Sequence, residues 1–188
     1  MTSIRLTPRA NLLRCLVGAL ALLLMGCNSS AEREQRRAFI NRYYAEDFRL
    51  FQNRAITSRG RADGDRLYLL FCEGPEHAKL GKDRMALVRV SVATDSVTSI
   101  RNSERTAQCT PALDSAAIVR LMRRFAQYAV TSVGSDAYGN ISFGFGLGSG
   151  ELGSADITRV ADSTQFDAAF WQTHVRVKGP WYERKEED

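Results

Sequence analysis

The sequence predicts a single α+β domain, with an antiparallel sheet of about five strands packed by two main helices, after a cleaved signal peptide. Three observations support this fold class. One segment near the middle of the chain has apolar residues at helical spacing. Several short segments alternate apolar and polar residues, as strands with one buried face do. The first 26 residues differ in composition from the rest of the chain.

Residues 1–26 have the parts of a secretory signal. Arg5, Arg9 and Arg14 bring positive charge with no acidic residue among them, and twelve uncharged, mostly apolar residues follow from Cys15 to Gly26. A transmembrane helix needs roughly 20 apolar residues to cross a bilayer. This apolar run is therefore too short to span a membrane, and we expect it to be removed.

The signal ends in Leu24-Met25-Gly26-Cys27, which resembles the lipobox of bacterial lipoproteins. The resemblance implies cleavage before Cys27, lipid on Cys27, and a domain of residues 27–188 held at a membrane of the bacterial cell envelope. The following residue is Asn28 rather than the Asp that retains enterobacterial lipoproteins at the inner membrane, which favours the outer membrane. Orientation toward the periplasm or the cell surface stays open. The alternative is an ordinary signal peptide followed by a chance cysteine.

Removal of the signal changes the charge and the cysteine content of the chain. The quoted net charge of +5 falls to +2, because 23 basic and 21 acidic residues remain. That balance gives no support to a nucleic-acid partner. Cys15 leaves with the signal and Cys27 is lipidated, so Cys72 and Cys109 remain. In an oxidising compartment we expect them to form a disulfide; the rival interpretation is a reactive or metal-binding thiol.

Two helices are predicted. The first begins with a capping box at Ser29 and Glu32 and continues to about Phe51. Its aromatic face packs on the core or, alternatively, lies on the membrane surface; the residues of this face are Ile40, Tyr43, Tyr44, Phe48 and Phe51. The second helix begins at Thr110 and Pro111 and carries an apolar stripe to Ala129, which is typical of a helix covering a sheet.

The predicted strands lie between and after these helices. The clearest is Arg84–Val92, in which alternate residues are apolar. The other strands are Leu67–Cys72, Val97–Arg101, Gly139–Leu147 and Trp171–Lys178, with a further short one at Ile157–Val160 and a short helix at Thr164–Phe170. Arg54–Asp65 is predicted to be a loop because Gly60 and Gly64 are turn residues. Glu183–Asp188 is predicted to be a charged tail.

The sequence contains no recognisable catalytic or metal-binding motif. His77 and His174 are the only histidines, and their spacing fits no metal site. Gly148-Ser149-Gly150-Glu151-Leu152-Gly153 matches G-x-G-x-x-G, but no long helical stripe follows it, so we expect a flexible loop rather than a nucleotide site. No cofactor, metal or catalytic residue is therefore assigned.

The best candidate for a binding surface is an aromatic cluster around the last strand. Trp171, Trp181 and Tyr182 flank that strand and His174 lies on it. Such aromatic residues stack on sugars, fill a partner's pocket or pack in the core. We therefore expect a non-catalytic binding or assembly module with an envelope protein or glycan as partner. The alternatives are an envelope hydrolase acting on cell-wall or glycan material and an inhibitor or immunity-type lipoprotein.

Overall fold

A nine-stranded antiparallel sheet dominates the computed structural model, which describes residues 30–72, 85–102, 109, 112–146 and 155–185. The strands are β1 Arg54–Ala62, β2 Asp65–Phe71, β3 Met85–Ser91, β4 Val97–Arg101, β5 Ser132–Ser135, β6 Ile141–Gly144, β7 Ile157–Arg159, β8 His174–Lys178 and β9 Trp181–Arg184. The helices are α1 over 30–42, α2 Ser115–Tyr128 and α3 Ala168–Thr173, with 3-10 turns at Arg49–Phe51 and Ser163–Gln165. The strand order is β4-β3-β2-β1-β5-β6-β7-β9-β8.

The expectation of a five-stranded sheet packed by two main helices is wrong. Strands β1, β5 and β9 were not predicted. The segment that forms β1 contains Arg59-Gly60-Arg61 and looks like a loop, yet Gly60 lies at a β-bulge with φ +89°. Asp63 and Gly64 both have positive φ and form the two-residue turn that joins β1 to β2. In this hairpin, the polar second half of β1 pairs with β2 at the exposed end of the two strands.

The other two unexpected strands are four residues long and have little pattern of their own. β5 is Ser-Val-Gly-Ser, and it pairs with β1 on one side and β6 on the other. β9 contains the first residues of the predicted charged tail and pairs with both β7 and β8. Because both strands have neighbours on both sides, pairing stabilises segments whose own β propensity is weak.

Helix α2 packs its apolar stripe into the core. Its N-cap is Asp114, whose carboxylate accepts a hydrogen bond from the backbone N–H of Ala117 at 2.6 Å. The predicted start at Thr110 and Pro111 is wrong, because residues 112–114 are not helical and the helix begins at Ser115; Thr110 and Pro111 themselves lie outside the described residues. The helix ends at Ala129, which takes the left-handed conformation. Its buried residues are Ile118, Leu121, Met122, Phe125 and Tyr128.

The chain divides into two units, residues 1–42 and 43–188. The described part of the first unit is α1, in which Glu32 and Arg36 form an i,i+4 ion pair at 3.9 Å. The predicted helix does not continue to Phe51, because the chain turns at 43–45 and forms a 3-10 turn at Arg49–Phe51. Ser29 lies outside the described residues.

The aromatic residues that follow α1 belong to the core of the second unit. Phe48 and Phe51 are buried, and their ring centroids lie 5.8 and 5.6 Å from that of Tyr128. The Tyr43 hydroxyl donates a hydrogen bond to the carbonyl of Gln127 at 3.0 Å. For these three rings, core packing rather than membrane contact is confirmed. Tyr44 is exposed, and the Lys178 ammonium lies 4.9 Å from the centre of its ring.

The Cys72–Cys109 disulfide is present, as the sequence predicts. Both cysteines are buried, and their Cα atoms lie 4.7 Å apart. The bond joins the end of β2 to the chain segment that precedes α2, across a sequence separation of 37 residues.

None of the helices in the described ranges is both long and apolar enough to cross a membrane. The signal and lipobox lie outside the described residues, as do His77 and the Gly148–Gly153 motif.

Candidate binding surface

The last hairpin of the chain positions the candidate surface at one end of the sheet. β8 is the final strand in the order, and its register with β9 places His174 opposite Arg184 and Arg176 opposite Tyr182. Because alternate residues of a strand point to opposite faces, these four side chains share one face of the hairpin. The connecting turn is Gly179-Pro180, in which Gly179 has a φ of +54°.

Helix α3 brings two further aromatic rings to the same place. Asp167 caps the helix by accepting a hydrogen bond from the backbone N–H of Phe170 at 2.9 Å. The Phe170 ring stacks on the His174 ring with centroids 4.0 Å apart, and it lies 4.1 Å from the ring of Phe166. Trp171 lies 5.3 Å from Tyr182. We call Phe166, Phe170, Trp171, His174 and Tyr182 the aromatic surface.

The aromatic surface is partly open to solvent. Trp171 is 37% exposed, and the other four rings are half-buried. Large apolar side chains clustered at the surface mark a site of contact with another molecule, whereas scattered ones need no explanation. The clustering of five rings here therefore identifies the best candidate for a binding surface.

Trp181 does not belong to this surface, contrary to the prediction. It is fully buried and packs against Phe48 and Phe143, with centroid distances of 5.9 and 6.0 Å. Trp181 pairs with Arg159 of β7, one residue before Tyr182, so its side chain points to the opposite face of the sheet. The structure therefore brings together three of the four predicted residues and sends the fourth into the core.

Phe166 and Phe170 were missed as members of the surface. The sequence signal was their spacing of four residues, which puts two rings on one side of a helix or a helix start. The segment was predicted to be a short helix at Thr164–Phe170, but the helix begins at Ala168 and ends at Thr173. That shift places Trp171 in the helix rather than at the start of the last strand.

Basic side chains border the aromatic surface. Arg176 and Arg184 are exposed and lie on the same face of the hairpin as His174 and Tyr182. The Lys185 ammonium donates a hydrogen bond to the carbonyl of Gln172 in α3, which holds its charge beside the helix. These three residues, Arg176, Arg184 and Lys185, form a basic rim.

The His174 ring is held by contacts of its Nδ1 as well as by its stacking on Phe170. Its Nδ1 lies 3.0 Å from the Thr173 hydroxyl and 3.1 Å from the carbonyl oxygen of Phe170. Burial lowers the pKa of His174, and the charges of Arg184 and Lys185 lower it further, against a raising effect from the Phe170 carbonyl. Among the described residues, no carboxylate hydrogen-bonds to its ring.

The lowered pKa predicts a pH dependence of stability. Since the unfolded state binds a proton to His174 at a higher pH than the folded state does, the free energy of unfolding should decrease as the pH falls below about 6.5. The decrease should stop once the pH is below the folded-state pKa. Chemical unfolding of the protein and of His174→Phe between pH 7.5 and 5 measures this. The variant keeps a ring against Phe170 and should lose this part of the dependence, whereas equal slopes would contradict the assignment.

Chemistry elsewhere in the described residues is limited. Two carboxyl groups have clearly shifted pKa values, and both are lowered: Asp47 to about 2 by hydrogen bonds and charge from Arg49, and Asp162 by hydrogen bonds from Thr164. A general acid needs the opposite shift. In the part of the chain that the structure describes, no group of three or more His, Cys, Asp or Glu residues is placed to hold a metal ion.

Searches of known protein-family models, of characterised proteins and of solved structures found no match to this chain.

Proposed function

We propose that this protein is a lipid-anchored, non-catalytic binding module of the bacterial envelope, and that its aromatic surface docks an acidic region of a partner protein. The observation that carries the proposal is the group of five rings at the end of the sheet, bordered by the basic rim. Protein interfaces have this anatomy, in which aromatic residues and arginine are enriched and polar groups surround an apolar centre.

The charge of the rim supports an acidic partner. Arg176, Arg184 and Lys185 are exposed. Complementary charge steers association and raises its rate, and its effect decreases with salt. Binding at this surface should therefore be faster at low ionic strength.

The outermost strand supports contact through side chains rather than strand addition. β8 is five residues long, carries Arg176 and Lys178, and has an irregular register with β9 between those two residues. Short, charged and bulged edge strands discourage pairing with another chain. The partner would therefore meet Trp171 and the rim instead of extending the sheet.

A glycan partner is less well supported by this geometry. Sugars stack on open aromatic faces, whereas the Trp171 ring lies nearly perpendicular to Phe170, at 89°, and to Tyr182, at 72°. With those two contacts and an exposed fraction of 37%, Trp171 resembles a protruding anchor residue more than a flat stacking surface.

Site-specific photocrosslinking tests the proposal. A photoreactive phenylalanine is placed at position 171, or at position 138 as the control, since Tyr138 is 56% exposed and lies in the turn between β5 and β6. We expect a protein adduct at position 171 in intact envelopes, at least tenfold stronger than at 138, and lost when Arg176 and Arg184 are changed to Glu. Equal labelling at both positions, or an adduct that resists proteases and carries only sugar, would contradict a protein partner.

The membrane anchor is the second part of the proposal, and it rests on the resemblance of Leu24–Cys27 to a lipobox. A single acyl chain binds membranes only marginally, whereas two or more hold stably. Changing Cys27 to Ala should therefore abolish lipid labelling and move the protein from the membrane fraction. Labelling with a palmitate analogue and fractionation measure this; lipidation of the Ala variant would refute the anchor. The outer membrane is proposed on Asn28, and density separation of the two membranes tests it.

A further inference from the structure

A second place in the fold has the character of a ligand site, and it shares no residue with the aromatic surface. It is a cavity of about 930 Å³ between the start of α2 and the segment that leads into β1. Its described lining is partly apolar, through Leu50 and Leu113, and partly charged, through Arg54 and Arg120. Ligand sites in proteins have this size and this mixture of apolar walls with a few polar groups.

Arg54 is the unusual residue in this wall. Its side chain lies at the start of β1 and the residue is only 5% exposed. One guanidinium nitrogen donates a hydrogen bond to the carbonyl of Leu50, and within the described ranges the buried Nε has no acceptor. Burial lowers the pKa of Arg54, and among the residues that the structure describes no carboxylate offsets that effect. A buried charge ordinarily has a counter-ion, since removing it from water is unfavourable.

Arg49 lines the same cavity, and unlike Arg54 its guanidinium is paired with a carboxylate. Its Nε lies 3.0 and 2.9 Å from the two carboxylate oxygens of Asp47, and a terminal nitrogen lies 2.6 Å from one of them. Hydrogen bonding to Asp47 raises the pKa of Arg49. Asp47 is thus already engaged, and it is not the counter-ion of Arg54.

The remaining carboxylate of the lining is engaged as well. Asp114 accepts the backbone N–H of Ala117 as the N-cap of α2. Three arginines, Arg49, Arg54 and Arg120, therefore face two engaged carboxylates in the described lining. The described lining therefore carries one excess positive charge.

We propose that this cavity binds a small organic anion, whose carboxylate or phosphate group pairs with Arg54 and whose apolar body lies against Leu50 and Leu113. The planar guanidinium matches either oxyanion with two parallel hydrogen bonds. Arg120, on the first turns of α2, supplies a second positive charge to the same group. The proposal is independent of the aromatic surface and of the lipid anchor.

Calorimetry with four probes tests it: benzoate, phenyl phosphate, the neutral isostere benzamide, and inorganic phosphate. We expect benzoate or phenyl phosphate to bind at least tenfold more tightly than benzamide and inorganic phosphate, and the stronger of the two identifies the oxyanion. Equal binding of benzamide would show an apolar cavity only. Equal binding of inorganic phosphate would show general attraction to charge. Either result, or no heat from any probe at millimolar concentration, would overturn the proposal.

Variants locate the site. Arg54→Met should reduce the affinity for the better probe at least tenfold, while Arg101→Met, at an exposed arginine of β4, should leave it unchanged. Arg120→Met alters an exposed side chain, so it should fold even if Arg54→Met does not, and it should weaken binding about threefold. Unchanged affinity in Arg54→Met, or in Arg120→Met where the first variant does not fold, would place the anion elsewhere.

Discussion

Replacing Trp181 with alanine is expected to lower the free energy of unfolding by about 3–5 kcal/mol, the range found for removal of a large aromatic side chain from a core. Trp181 is fully buried and packs against Phe48 and Phe143, so its removal leaves a cavity between the sheet and the 3-10 turn segment. Urea unfolding followed by circular dichroism measures the change. The slope against urea should remain the same, since the surface exposed on unfolding is nearly unchanged.

Trp171→Ala is the matched control for this prediction. Trp171 belongs to the aromatic surface and is partly exposed, so its removal should cost about 1 kcal/mol of stability, mainly from the contacts with Phe170 and Tyr182. The two substitutions should therefore differ clearly in their effect on the free energy of unfolding, because Trp181 stabilises the core and Trp171 belongs to the aromatic surface. A loss of stability in Trp171→Ala as large as that in Trp181→Ala would contradict this division.

Removal of the disulfide is expected to have an effect of similar size. Changing Cys72 and Cys109 to alanine should lower the free energy of unfolding by about 4 kcal/mol on the chain-entropy account, which depends on the number of residues in the closed loop. Alanine is preferred to serine because both positions are buried. The measurement is urea unfolding with and without reductant.

The variant also provides the control for reduction. Reductant should shift the unfolding midpoint of the original protein toward that of the double alanine variant and should not shift the variant itself. Two free thiols in protein isolated from envelopes, with no effect of reductant on its midpoint, would refute a structural disulfide.

Much of the sheet could be predicted where the chain carries its own pattern. In β3, Ala86, Val88 and Val90 are buried and alternate with less buried residues, as expected. Val92 was predicted to continue this strand, but it lies in the turn after β3 and is exposed. The pattern of hydrophobicity fixes the face of a strand, and it does not fix the residue at which pairing stops.

Strands that depend on their neighbours could not be predicted in the same way. β5 and β9 are stabilised by pairing on both sides, and no local signal marks Ser132–Ser135 as a strand. β1 is different, because Asp63-Gly64 is a strong hairpin signal that was interpreted only as a loop. Of the three unexpected strands, β1 therefore has a signal in the sequence that predicts it.

The same limit of prediction from the sequence applies to the candidate surface. Trp181 and Tyr182 are adjacent in the sequence, yet one is buried and the other half-buried because one strand position separates them. Which of the two points to the core depends on the register of β9 against β7, and that register is a property of the assembled sheet. Sequence reasoning could nominate the aromatic residues around the last strand, but it could not divide them between core and surface.

The binding of the crosslinked partner to purified protein tests the central claim most directly. The dissociation constant should increase about 30-fold in Trp171→Ala, which corresponds to about 2 kcal/mol, the effect of losing a central aromatic anchor. It should be unchanged in Tyr138→Ala, and it should increase with salt for the unaltered protein. Equal affinity of Trp171→Ala and Tyr138→Ala, with both variants folded, would show that the aromatic surface is not where this protein binds its partner.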